Sequence, residues 1–145
     1  MGSLKVILDK NPTEADKAFL LNSLNQHDSA LVGPANTRVF AAYVRDEGQN
    51  IVGGGLGTII WNWVYISHVW IAEEHRGKGY GKQIISMIEE ESGKLNCKFS
   101  YLATFDFQAV VFYEKLGYQI FGKLDDFPEG HQIIFMKKNF EGKEL

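Results

Sequence analysis

A run that is apolar on both faces, Trp63 to Ala72, leads straight into Glu73-Glu74-His75-Arg76-Gly77-Lys78-Gly79-Tyr80-Gly81-Lys82. Directly after it, Gly81, Ile84, Ile85, Ile88, Ser92 and Leu95 recur at spacings of three, one, three, four and three. That is one stripe of an amphipathic helix. A strand apolar on both faces belongs inside a sheet that is covered on both sides. Glycines at alternate positions then let the chain turn where side chains would interfere. The helix start that follows carries orphan N–H groups and a partial positive charge. Arg76, Lys78 and Lys82 add cations at the same end. Strand, glycine turn and helix N-terminus together read as a cradle for phosphate.

The remaining chain surrounds that unit with more strands than helices. Leu4 to Leu8 reads as a strand. Thr13, with Asp16 three residues on, reads as the N-cap of a helix whose apolar side is Ala15, Ala18, Phe19, Leu20, Leu21 and Leu24. Gly33-Pro34 ends any short helix after it. Arg38–Arg45 and Ile51–Ile60 flank a polar turn and predict a hairpin. Gly53, Gly54, Gly55 and Gly57 mark tight packing or irregularity in its second strand. Phe99–Phe105 is a further strand, and Ala109, Phe112, Tyr113 and Leu116 form a second helical stripe stopped by Gly117. Tyr118–Lys123 and Gln132–Lys138 close the chain as strands around an acidic loop, Asp125 to Gly130. The order predicts a mixed α/β sheet with helices on both faces.

Composition narrows the partners. The 145 residues suit a single domain, residues 1–145, and 45% hydrophobic with 23% charged residues is an ordinary globular balance. Fifteen basic against eighteen acidic residues give a net charge of −3, which disfavours nucleic acid. One cysteine, Cys97, can form neither an internal disulfide nor a cysteine-cluster metal site, so no metal is expected. The opening residues lack the regions of a signal peptide, Val6 stands where myristoylation wants Ser or Thr, and no apolar run approaches 18 residues. A cytoplasmic chain without a membrane partner is expected. Among phosphate motifs, the dinucleotide fingerprint fails because Lys82 stands where the third glycine is needed, and Gly77-Lys78-Gly79 does not fit a nucleotide P-loop.

Arg76-Gly77-Lys78-Gly79-Tyr80-Gly81 resembles the Arg-x-x-Gly-x-Gly signature of the GNAT superfamily of acetyl-CoA-dependent N-acetyltransferases. Asp106 to Tyr118 is similar to that family's Asn-x-x-Ala-x-x-x-Tyr-x-x-x-Gly-Phe segment, with Asp106 standing where asparagine is common. The element order is similar over nearly the whole chain. The resemblance implies a mostly antiparallel sheet of about seven strands, splayed between the fourth and fifth, which are Trp63–Ala72 and Phe99–Phe105. It implies acetyl-CoA as cosubstrate and a primary amine, of a small molecule or protein, as acceptor by direct attack in a ternary complex. Backbone at Val69, Trp70 and Ile71 would pair with the pantetheine arm. Arg76, Gly77, Lys78, Gly79, Tyr80, Gly81 and Lys82 would hold the diphosphate. Tyr113 would protonate the leaving thiolate. A non-catalytic module that only holds CoA is the alternative, and a homodimer is compatible with the family.

The proton acceptor stays open among His68, Glu73, Glu74, His131 and water. Regular alternation puts Tyr65 and Ser67 on the face of Val69 and Ile71, and His68 and Trp70 on the other, unless a bulge reverses them. Trp61, Trp63 and Tyr65 either floor an acceptor pocket or pack.

Overall fold

The computed structural model describes residues 2–142 and divides into two compact units, one up to Ala35 and one from Asn36 onward. The smaller unit holds helix α1 (Glu14–Val32), where the hydroxyl oxygen of Thr13 accepts the N–H of Asp16 at 3.1 Å. Gly33, at φ +89°, ends it. Leu4–Leu8 is not a strand. A strand needs a partner for its backbone groups, and this unit contains no other strand among its described residues. Nor does a second short helix follow: α1 runs unbroken to Val32, with no Gly or Pro inside it to stop it.

Among its described residues the larger unit holds one sheet of six strands rather than seven: β1 (Arg38–Arg45), β2 (Ile51–Ile60), β3 (Trp63–Ile71), β4 (Phe99–Phe105), β5 (Gln119–Asp125) and β6 (Gln132–Asn139). Their order is β1-β2-β3-β4-β6-β5, antiparallel at every junction except β3–β4. Helix α2 (Tyr80–Lys94) makes the crossover between those two parallel strands, and α3 (Val110–Lys115) follows β4.

The predicted stripe of α2 faces the core. Gly81, Ile84, Ile85, Ile88 and Ser92 are buried, with Leu95 packed at the margin. The glycines of β2 admit this helix: a Cβ on Gly55 would lie 3.0 Å from Ile84 Cγ2, and one on Gly57 3.0 Å from Ile88 Cγ2. Val64, Ile66, Leu102, Met136 and Tyr113 complete the same core. Cys97 is buried there too, and burial pushes its thiol up.

A polar cluster pins the C-terminal half of α2 to the sheet. The Tyr118 hydroxyl donates to Glu89 Oε2 at 2.8 Å and lies 2.8 Å from Ser100 Oγ, while Lys138 Nζ donates to Glu89 Oε1 at 2.8 Å. Burial, followed by the charge of Glu89, pushes the Tyr118 phenol far up, so it stays a donor. Glu89→Ala would leave the Lys138 ammonium without its carboxylate and the Tyr118 hydroxyl with Ser100 alone, and is expected to lower stability by about 1–3 kcal/mol, read as a fall in the urea midpoint at unchanged slope.

Candidate functional site

Strands β3 and β4 pair over four residue pairs, from Trp63↔Phe99 to Ile66↔Leu102, and then part. Two aromatic stacks hold the paired half: Trp63 on Phe99 at 4.8 Å and Tyr65 on Tyr101 at 4.9 Å between ring centroids. These side chains therefore pack across the strands, and neither Trp61, Trp63 nor Tyr65 lines the cavity beyond the split. Past Ile66 and Leu102, each strand keeps only its outer partner, β2 or β6. Their inner edges face a cavity of about 880 Å³.

A bulge sits at the split. Leu56 pairs with Ser67 and Gly54 with Trp70, so Gly55 alone opposes His68 and Val69. His68 takes a left-handed backbone, φ +56°. The extra residue reverses the alternation. Val64 and Ile66 face α2, and beyond the bulge Val69 and Ile71 face it as well, with Ile71 Cδ1 lying 3.5 Å from a Cβ placed on Gly81. Tyr65 and Ser67 are thereby moved off the face of Val69 and Ile71, contrary to regular alternation.

After β3 a single 3-10 turn, Glu73–His75, leads to the glycines. Gly77 and Gly79 have φ of +74° and +87° with open space where a Cβ would be, so backbone conformation rather than crowding calls for glycine. Gly81 differs: its Cβ would meet the Phe112 ring at 3.0 Å. Gly79 caps α2 without a side-chain acceptor, and the helix has no acidic residue in its first turn. The first bond inside the helix is from Gln83 N–H to Gly79 O. The N–H groups of Tyr80, Gly81 and Lys82 are therefore without acceptors in the helix. Arg76 folds back, its Nε donating to Ile71 O at 2.8 Å, which ties the loop to the end of β3.

Of the residues expected to hold a cofactor, Val69, Trp70, Ile71, Arg76, Gly77, Gly79, Tyr80, Gly81 and Lys82 line the cavity, and Lys78 does not. Tyr113 lines it from α3, and burial pushes its phenol up to about 12. Ala103, Thr104, Phe105, Phe107, Gln108, Ala109 and Phe112 also line it and were not singled out as site residues from sequence. The segment Asp106–Tyr118 carried the signal for the last of these, but the unpaired edge of β4 left none. Among the proton-acceptor candidates, His68 lines the cavity, whereas Glu73, Glu74 and His131 do not. Asp106 is committed elsewhere: its carboxylate lies 3.0 Å from His131 Nδ1 and accepts the Gln132 N–H at 3.1 Å, joining the end of β4 to the start of β6. Among the described residues no group of three or more His, Cys, Asp or Glu side chains could hold a metal, and no helix is long and apolar enough to cross a membrane.

The raised Tyr113 phenol has a consequence for stability. Between the ordinary phenol value near ~10 and about 12, the unfolded chain releases a proton that the folded chain keeps. Stability from this group is full below that window and falls as pH rises through it. Urea midpoints measured across the window are expected to fall less steeply for Tyr113→Phe than for the unaltered protein.

Residues 8–118 match the model of the acetyltransferase (GNAT) family. Acetyltransferase Atu2258 of Agrobacterium fabrum is 28% identical over 135 residues, covering 93% of this chain and 98% of the relative. Blasticidin-S acetyltransferase of Streptomyces morookaense is 32% identical over 93 residues, covering 63% of this chain and 68% of the relative. The crystal structure of an acetyltransferase from Bacillus cereus superposes with a TM-score of 0.81 at 29% identity, covering 92% of this chain and 97% of that one.

Proposed function

Since the chain belongs to the acetyltransferase (GNAT) family and so is an acetyl-CoA-dependent acyltransferase, we propose that it moves an acetyl group to a primary amine by direct attack, with both substrates bound together. The observation that carries the reading is continuous: the unpaired edges of β3 and β4 open into a cavity that ends on the N-terminus of α2. Buried backbone groups without partners are costly, and the amides of a pantetheine arm match them as an added strand would. Backbone at Val69, Trp70 and Ile71 supplies one such edge.

The far end of the cavity suits a diphosphate. The N–H groups of Tyr80, Gly81 and Lys82 point out of α2, Gly77 and Gly79 shape the turn, and Arg76 and Lys82 add charge. Lys78, off the cavity wall, adds to the field around that end. Acetyl-CoA, when bound, supplies an acyl group activated by a thiolate leaving group. A backbone N–H at the bulge is suited to stabilise charge developing on the thioester oxygen. Tyr113 keeps its proton at neutral pH and is suited to give it to the departing sulfur. That phenol on the cavity wall favours turnover over a module that merely holds CoA. Residues 1–145 act as one transferase domain.

The acceptor is sought by thiol release from acetyl-CoA over a panel including blasticidin S, spermidine, benzylamine and amino-acid amides, with coenzyme A binding measured by calorimetry. Coenzyme A is expected to bind, and Gly79→Val to lose at least about 10-fold in affinity, because the left-handed turn is closed to a β-branched residue. Tyr113→Phe is expected to lower kcat about 100-fold while leaving coenzyme A affinity nearly unchanged. Retained tight binding in Gly79→Val, or undiminished turnover in Tyr113→Phe, would remove the corresponding residue from its role.

A further inference from the structure

We propose that His68 is the base that takes the proton from the acceptor amine, a role that depends on the acetyl-transfer reading above. An amine is a cation in neutral water and attacks only after losing a proton. The cavity offers few groups to receive it. Its ionisable side chains are His68, Arg76, Tyr80, Lys82 and Tyr113. Guanidinium and ammonium groups have no lone pair to offer, and phenols hold their protons at neutral pH. No carboxylate, thiol or second imidazole lines the wall. The imidazole of His68 is thus the one proton acceptor there among the described residues.

Its backbone supports the assignment. A non-glycine residue at φ +56° within a strand is uncommon, and such strain gathers where a side chain must be aimed. Here the bulge turns His68 out of the strand's alternation at the point where β3 leaves β4. No hydrogen bond or ion pair to another described residue holds its ring, unlike that of His131, which Asp106 engages. The elements around it bring no competing carboxylate to the wall. β2 presents Gly54, Gly55 and Leu56, and the split end of β4 presents Ala103 and Thr104. The glycine loop brings Arg76, α2 brings Tyr80 and Lys82, and α3 brings Tyr113.

The step balances. The ammonium gives one proton to a ring nitrogen of His68, and the freed nitrogen lone pair forms the C–N bond. The C–S bond breaks with its electron pair going to sulfur, which takes the Tyr113 proton. The second proton lost by the nitrogen restores Tyr113, and His68 releases its proton to water. One proton is released per acetyl group transferred.

His68→Asn tests this, because asparagine tolerates left-handed backbone but cannot take the proton. Thiol release is measured against pH with the fastest amine of the panel, or with water as nucleophile if none reacts. The variant is expected to lose about 100-fold in kcat/KM near neutrality, with added imidazole restoring part of the rate. With an amine, the gap is expected to narrow as pH rises toward ~10, where free amine is abundant. Coenzyme A affinity is expected to stay within about two-fold, since no charged contact to the diphosphate is removed. A profile parallel to the unaltered protein and within about two-fold of it overturns the assignment. So does full activity in His68→Asn with loss in His131→Gln. Failure of the unaltered protein to bind coenzyme A instead overturns the acetyl-transfer reading itself.

Discussion

The parallel pairing of β3 with β4 stops at Ile66 and Leu102, and the rest of the molecule is arranged around that stop. Backbone hydrogen bonds left unmade in a fold are expensive, so strands do not part without compensation. On one side of the split, aromatic stacks across Trp63–Phe99 and Tyr65–Tyr101 close the sheet firmly. On the other, β2 and β6 each keep one edge of the parted strands satisfied. What remains is two inner edges facing a cavity, an arrangement that a ligand with its own amides can complete.

The helix that ends this cavity is placed by packing at its other turns. Glycines in β2 remove the side chains that would hold α2 away, letting Ile84 and Ile88 approach the strand. Glu89, Tyr118, Ser100 and Lys138 fasten the same helix from its other half. With both contacts set, the N-terminus of α2 has little freedom, and its open N–H groups face the cavity. Gly77 and Gly79 then carry the chain from β3 into the helix through backbone angles that other residues rarely adopt. Charge at the site is thus the partial positive charge of the helix start, about half a unit, with the full charges of Arg76 and Lys82 added.

Much of this is legible in the amino-acid sequence. The hairpin bounds, the strand read over Trp63 to Ala72 and ending at Ile71, the buried stripe of α2 and the glycine turn follow from periodicity and punctuation, which are local properties. Leu4–Leu8 alternates as a strand does and yet is not one, because alternation marks a chain able to be a strand, while pairing decides whether it is one. The faces of Tyr65, Ser67, Val69 and Ile71 stay open in the sequence for a related reason. A bulge is a mismatch between two strands, and nothing in His68-Val69 alone announces that one residue of β2 will oppose both.

The sequence by itself determined the chemistry available: a glycine-lined helix start for an anion, a tyrosine on the stripe of a short helix, and a single cysteine, too few for a cysteine-cluster metal site. These depend on residue types and near-neighbour spacing, which local physics reads directly. The tertiary structure alone decided which groups meet. It turned Asp106 away to His131, left Glu73 and Glu74 off the cavity wall, and brought His68 onto it. Such choices rest on the register of strands far apart in the chain, and a shift of one residue there exchanges the faces of every side chain that follows.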